Sequence, residues 1–292
     1  MKKIQKLLDK IGSIESMDLA LKATLVLFLF SEWVVGDDWR FMAPILTLSA
    51  LGLVIPELHK NKYLWYVLAI VLFLKTTANW WTQDNHLFVN LYWVIAIAFA
   101  LSFKDSVGIL ARNSRALIGL VFFFATIWKI LSPDFSSGTY FHFTFLTDSR
   151  FAEESQILGD QSRTDIAENI NMMRKVASNE IETATLKSND SIRLSTKFIT
   201  WHTILIESLL ALVFLLPSRF KLTNYRNYLL LLFALTTYLT MPIHSFAWLI
   251  IAMGISQTHE KEKHDRSLFI LSLPIMLTYK FVPFMQWIAD AF

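Results

Sequence analysis

Long apolar blocks and short polar links alternate along this chain. Leu, Ile, Val, Phe and Ala fill blocks at about 17–35, 42–56, 63–81, 86–103, 116–131, 199–217, 227–241, 244–257 and 267–287. Buried strands run about 4–8 residues, whereas about 20 apolar residues cross a bilayer core as a helix. The pattern therefore predicts an all-α protein, a polytopic integral membrane helical bundle with about nine transmembrane helices and one extracytoplasmic insertion. The organisation read from it is an N-terminal amphipathic helix over 1–16, transmembrane helices one to five over 17–131, the insertion over 132–198, and helices six to nine over 199–292.

The insertion opens with SPDFSSGTYFHFTFLTDSRF, dense in Phe and Tyr and broken by Pro133 and Gly138. That composition beside a span suits an interfacial belt or a re-entrant lid. Ile166, Ile170, Met173 and Val176 then recur along one side of a helix predicted near Arg163 to Ala177. Asp190 or Ser191 is placed to cap a helix that runs on into the sixth span.

Charge orients the bundle. Lys2, Lys3, Lys6 and Lys10 precede the first block, Lys60 and Lys62 follow the second, Lys104, Arg112 and Arg115 follow the fourth, and Arg219, Lys221 and Arg226 follow the sixth. The alternate links GDDWR and TQDNH are nearly free of basic residues. Loops rich in Lys and Arg stay in the cytoplasm, so a multi-pass protein of the cell (inner, cytoplasmic) membrane is expected, with its N-terminus in the cytoplasm and 132–198 on the outer side. Two short helices turning near Pro242 are expected over 227–257, since two crossings return Lys261, Lys263 and Arg266 to the cytoplasm. The opening MKKIQKLLDKIGSIES reads as a helix lying on the membrane surface. A signal peptide would need small residues at its cleavage site, where Glu32 and Trp33 stand.

At 54% hydrophobic and 17% charged, against about 25% charged in a soluble domain, the composition excludes an ordinary soluble protein. The absence of cysteine excludes disulfides, thiolate metal sites and Cys nucleophiles. The net charge of +3 is accounted for by loops beside apolar spans, so the lipid bilayer rather than nucleic acid is the expected partner.

Six ionisable residues interrupt the apolar blocks: Glu32, Lys75, Lys129, Glu207, His244 and Lys280. A charge in hydrocarbon costs about 3 kcal/mol on insertion scales, so such residues face a bundle interior or a wet cavity. Threaded alternately through a bilayer, all six fall in the half nearest the outer face, which predicts one outward-facing polar chamber. Thr196, Thr200, Thr203 and Glu207 form a single helical stripe. Its structural alternative has the threonines bonding backbone carbonyls and Glu207 pairing with a neighbouring helix. Lys129, near the outer end of the fifth block, either snorkels to the interface or sits in an apolar pocket as a base. Lys75 shares a helix face with Asn79 and lies too deep to snorkel easily, so an acidic partner is expected, with Glu32 and Glu207 as candidates. Lys280 reads as a snorkelling anchor, and Trp33, Trp39, Trp80 and Trp81 as interfacial anchors. His142, His202 and His244 also fall on the outer side, but no HxxxH or HxxH spacing joins them and no metal is expected. His244 follows Pro242 at a helix break, where irregular backbone commonly lines a cavity. Catalytic candidates are thus Lys129, Glu207, Lys75 and His244; pocket candidates are Glu32, Asn79, Thr203, His202 and His142.

In KILSPDFSSG a Lys closing a span is followed by a short turn, an acidic residue and Gly; DNHLFVNLYW, ESLLALVFLLPSRFK and PIHSFAWLIIAMGI lie elsewhere along the chain. Together these phrases resemble the superfamily of horizontally transferred transmembrane domains, which includes vitamin K-dependent gamma-carboxylase; DoxX-like membrane proteins look distantly related. The resemblance implies an all-helical bundle whose site opens on the non-cytoplasmic side. It also implies that Lys129 stands where the carboxylase places the base that deprotonates vitamin K hydroquinone, and it keeps a quinone or quinol among the ligands. The expected function is that of an enzyme acting on a quinol or other lipid-soluble substrate at the outer leaflet. The alternative is a non-catalytic membrane subunit, serving as maturation factor or scaffold for an exported peptide or a redox complex. A transporter stands third, because broken helices and buried charges also suit transport.

Overall fold

Blocks of Leu, Ile, Val and Phe offer the backbone no side-chain acceptor that competes with its own turns, and they fold as helices. The computed structural model describes residues 12–35, 38–78, 80–81, 85–238, 244–282 and 284–289, and their side chains apart from those of 31–35, 86, 244 and 277–281. Among the described residues the chain is all-helical, with 14 α-helices and no strand. In chain order these are α1 (Ser16–Val35), α2 (Trp39–Val54), α3 (Lys62–Ala78), α4 (Asn85–Ala100), α5 (Ser106–Leu131), α6 (Pro133–Ser136), α7 (Thr139–Thr147), α8 (Ala152–Gly159), α9 (Arg163–Ala177), α10 (Asp190–Leu215), α11 (Arg226–Tyr238), α12 (His244–Ser256), α13 (Lys263–Phe281) and α14 (Phe284–Ala289). By length and composition α5 and α10, 26 residues each, are able to cross a membrane. The apolar helices Trp39–Val54, Leu87–Ala100 and Ser245–Ser256 are shorter. The expected surface helix over 1–16 lies largely outside the described residues.

Two helix starts differ from expectation. α5 begins ten residues before its apolar block at 116, because Asp105 accepts the Gly108 N–H (3.0 Å) and Arg112 and Arg115 are good helix formers. α10 is capped by Asn189, whose side chain accepts the Ile192 N–H (2.9 Å), rather than by Asp190 or Ser191.

The chain divides into two units. The first comprises Met1–Val121, Leu210–Leu235 and Ile243–Leu277. Its centre is α1, packed against α2 and α12, with Leu21, Leu25 and Phe28 buried. Indole N–H groups stitch this core: Trp93 donates to Thr24 Oγ1 (2.9 Å) and Trp248 to the Ala23 carbonyl (3.0 Å). A Cβ at Gly52 would stand 2.8 Å from a Leu25 methyl and 2.9 Å from a Leu64 methyl, so any larger residue there would make those side chains shift. Near the basic links Arg266 is 3% exposed, and its guanidinium donates to Thr258 Oγ1 (2.9 Å) and to the carbonyls of His259 (2.9 Å), Gly12 (3.0 Å) and Ile14 (2.6 Å). A buried cation is tolerated only with its donors satisfied in this way.

The second unit comprises Phe122–Leu209, Thr236–Pro242 and Thr278–Phe292. The aromatic opening of the insertion folds into short helices. Ser132 caps α6 by accepting the Phe135 N–H, Pro133 takes the first helical position, and Gly138 turns the chain at φ 88°. Phe135, Phe141, Phe145, Leu146 and Phe151 then bury together with Ile192 and Ile204 of α10. α9 presents buried Ile166 and Asn169, with Ile170, Met173 and Val176 half-buried, as its spacing predicts. The Asn169 amide exchanges two hydrogen bonds with the Lys187 backbone (2.9 and 2.8 Å), fixing the strand-free return to α10. α8 packs on α7, α9 and α14, tied by Ser155 Oγ to the Phe145 carbonyl (2.6 Å) and Gln156 Nε2 to that of Ala289 (3.0 Å).

Candidate functional site

Lys129, two residues from the end of α5, donates through Nζ to both carboxylate oxygens of Glu207 on α10. The Glu207 side chain is 7% exposed and that of Lys129 22%. The ammonium is therefore held by a neighbouring helix and does not reach for the interface. Phe135, from the aromatic lid, lies with its ring centroid 5.4 Å from Lys129 Nζ, within cation–π range. Two further groups join this pair. Thr126, three residues before Lys129 and so on the same helix face, is buried, and its hydroxyl has no hydrogen-bond partner among the described residues. Tyr238 is buried close enough to Glu207 to feel its charge.

The stripe on α10 divides by role. Thr196 and Thr200 are buried and donate to carbonyls one turn back, Ile192 (2.8 Å) and Thr196 (2.9 Å), so they serve their own helix. Thr203 is half-buried between them and Glu207. The opposite side of the helix exposes Leu194, Phe198, Trp201 and Leu205. His202 lies on that exposed side, stacked on Phe198 at 6.0 Å.

Lys75 belongs to the first unit, where its charge acts on Asp38. Asp38 titrates below the usual carboxylate range chiefly because Arg40 donates to it, with Lys75 a smaller contribution. Of the two candidate partners expected for Lys75, Glu207 receives Lys129 on both oxygens, and the Glu32 side chain lies outside the described set. Glu32 and His244, like Lys280, have side chains outside the described set, and Asn79 lies outside the described residues. Trp39, Trp80 and Trp81 are exposed, the last two stacked at 4.1 Å.

His142 sits elsewhere in the second unit, at a cavity of about 500 Å³ lined by Ser137, Gly138 and Thr139 of the lid and by Asp190, Arg193, Leu194, Thr196 and Lys197 of α10. Its Nε2 meets Ser188 Oγ at 2.7 Å, and burial, with help from Arg193, holds the imidazole below its ordinary pKa. Among the described residues no three His, Asp or Glu side chains converge as metal ligands. Buried Glu154 on α8 has one carboxylate oxygen with no hydrogen-bond partner among the described residues, and burial pushes its pKa up to about 7. Thr126, Tyr238, Glu154 and the cavity are not apparent from sequence; the only signal for the first is its three-residue offset from Lys129.

No family model, curated protein or solved structure matches the chain.

Proposed function

We propose that this is a polytopic membrane protein, crossing about nine times with its N-terminus inside, that takes a proton from a weakly acidic lipid-soluble substrate of the hydroquinone class at the outer leaflet. The observation that carries the reading is the Lys129–Glu207 pair beneath Phe135. In this reading the proton of the contact passes to Glu207 when substrate binds. With that proton on Glu207, Lys129 presents a neutral amine. A substrate O–H bond then breaks, an N–H bond forms, and the resulting ammonium stays beside the phenolate it has made. The Thr126 hydroxyl offers a hydrogen bond to the substrate oxygen, and the Phe135 ring a stacking face.

The membrane placement is supported by the side chains that the helices turn outward: Ile70, Phe73 and Leu74 on α3, and Phe124, Trp128 and Leu131 on α5, are all at least half exposed. Continuous apolar faces of this kind do not persist in water. The shorter apolar helices, 13–17 residues long, span about 20–25 Å, a mismatch that local bilayer thinning absorbs.

The test is anaerobic binding of a short-chain ubiquinol to the detergent-purified protein, followed by phenolate absorbance. Wild type is expected to generate phenolate. Lys129→Arg should bind and remain folded yet generate none, because a guanidinium keeps its proton. Equal phenolate from wild type, Lys129→Arg and Lys129→Ala would remove the base assignment. The pair would then be a structural clasp and the chain a non-catalytic membrane subunit, a reading favoured by the hydrogen bonds Lys129 gives to both Glu207 oxygens.

A further inference from the structure

The cavity beside the lid has a wall of unusual charge. Arg193 and Lys197 stand four residues apart on α10, on the same helix face, where two like charges destabilise a helix unless an anion lies between them. Asp190 answers one of them, its carboxylate 2.6 Å from the Arg193 guanidinium. With His142 neutral, the lining carries one positive charge in excess, the complement of a single phosphodiester. Ser137 and Thr139 add two hydroxyls on the facing wall, 2.8 Å from each other. A volume of about 500 Å³ is that of a small-molecule site.

One lining residue continues beyond the cavity. Leu194 is also the first member of the exposed apolar stripe Leu194, Phe198, Trp201 and Leu205, which runs down α10 at spacings of one turn. A cationic pocket that opens onto an apolar helix face matches a molecule with a phosphate at one end and hydrocarbon at the other. We propose that this cavity binds the phosphodiester headgroup of an outer-leaflet phospholipid. Arg193 and Lys197 hold the phosphate, and the acyl chains lie along Leu194, Phe198 and Trp201. Arg193 suits the task because its planar fork meets two phosphate oxygens together. The inference rests on the membrane placement proposed above but not on proton transfer at Lys129.

The experiment uses the full chain, delipidated in detergent and titrated with dioleoylphosphatidylglycerol under native mass spectrometry. Wild type is expected to take up one lipid. Arg193→Gln/Lys197→Gln changes only exposed side chains and should fold normally, but bind at least about tenfold more weakly through loss of two charge-assisted contacts. Glycerophosphoglycerol, the same headgroup without chains, should compete poorly. The proposal is overturned if the double variant binds the lipid as wild type does. It is also overturned if the chain-free headgroup binds equally well, which would make this a site for a soluble phosphate ester. Membrane fractionation of the cells that express the chain separates the two readings. A chain that pellets with membranes yet binds no phosphatidylglycerol loses this site alone, and one that stays in the supernatant loses both.

Discussion

Glu207 illustrates what a single carboxylate demands when it is withdrawn from water. With its side chain 7% exposed, it depends on Lys129 for compensation. Breaking a buried pair from one side costs about 3–5 kcal/mol, whereas replacing both members with apolar groups of similar volume is often neutral. Lys129→Met alone should therefore lower the melting temperature in detergent sharply, and Lys129→Met/Glu207→Leu should recover most of the loss. Glu154 makes a different demand, having no cation paired with it among the described residues. Its pKa of about 7, raised from 4.5 by burial, means that the folded state holds the proton more tightly than the unfolded chain does. Stability from this group is complete below about pH 4.5, falls as pH rises towards 7, and is lost above that. A tenfold difference in proton affinity is worth about 1.4 kcal/mol, so the whole effect is roughly 3 kcal/mol. Glu154→Gln should accordingly raise the melting temperature at pH 8, leave it nearly unchanged at pH 4, and flatten the profile between; an unaltered profile would remove the assignment.

Single elements show how far their sequence prescribes them. Apolar blocks announce that helices exist and roughly where, and the spacing of Ile166, Ile170, Met173 and Val176 gives both the extent of α9 and its inward face. Boundaries are less legible. The start of α5 depends on the Asp105 side chain folding back, and that of α10 on Asn189, each a local choice among several polar residues. Lys129 and Glu207 stand out individually because charges are costly in apolar surroundings. Their pairing does not, since contact between residues 78 positions apart is decided by helix packing. A lone Thr126 or Tyr238 in an apolar block looks like core, and Glu154 beside Glu153 looks like a solvated pair. The α6–α7 turn offers a direct check. Gly138 sits at φ 88°, and a Cβ there would stand 3.2 Å from the Lys197 Cα. Gly138→Ala should cost about 1–2 kcal/mol from the left-handed conformation alone, read as a lower melting temperature, while Ser137→Ala should cost far less.

For the molecule as a whole, the sorting of basic links predicts that the insertion faces outward. Alkaline phosphatase fused after Asn179, an exposed residue just past α9, should be active outside the cell, and activity of a cytoplasmic reporter there would reverse the topology. Arg266 carries a consequence for biosynthesis. Its guanidinium closes on the carbonyls of Gly12 and Ile14 across 254 and 252 residues, and Trp248 reaches Ala23 across 225. A ribosome adding about 5–20 residues per second needs on the order of ten to fifty seconds to cover that separation. Throughout that interval α1 has been synthesised while α12, which completes its packing, has not, so one face of α1 waits for its partner long after the face against α2 is covered.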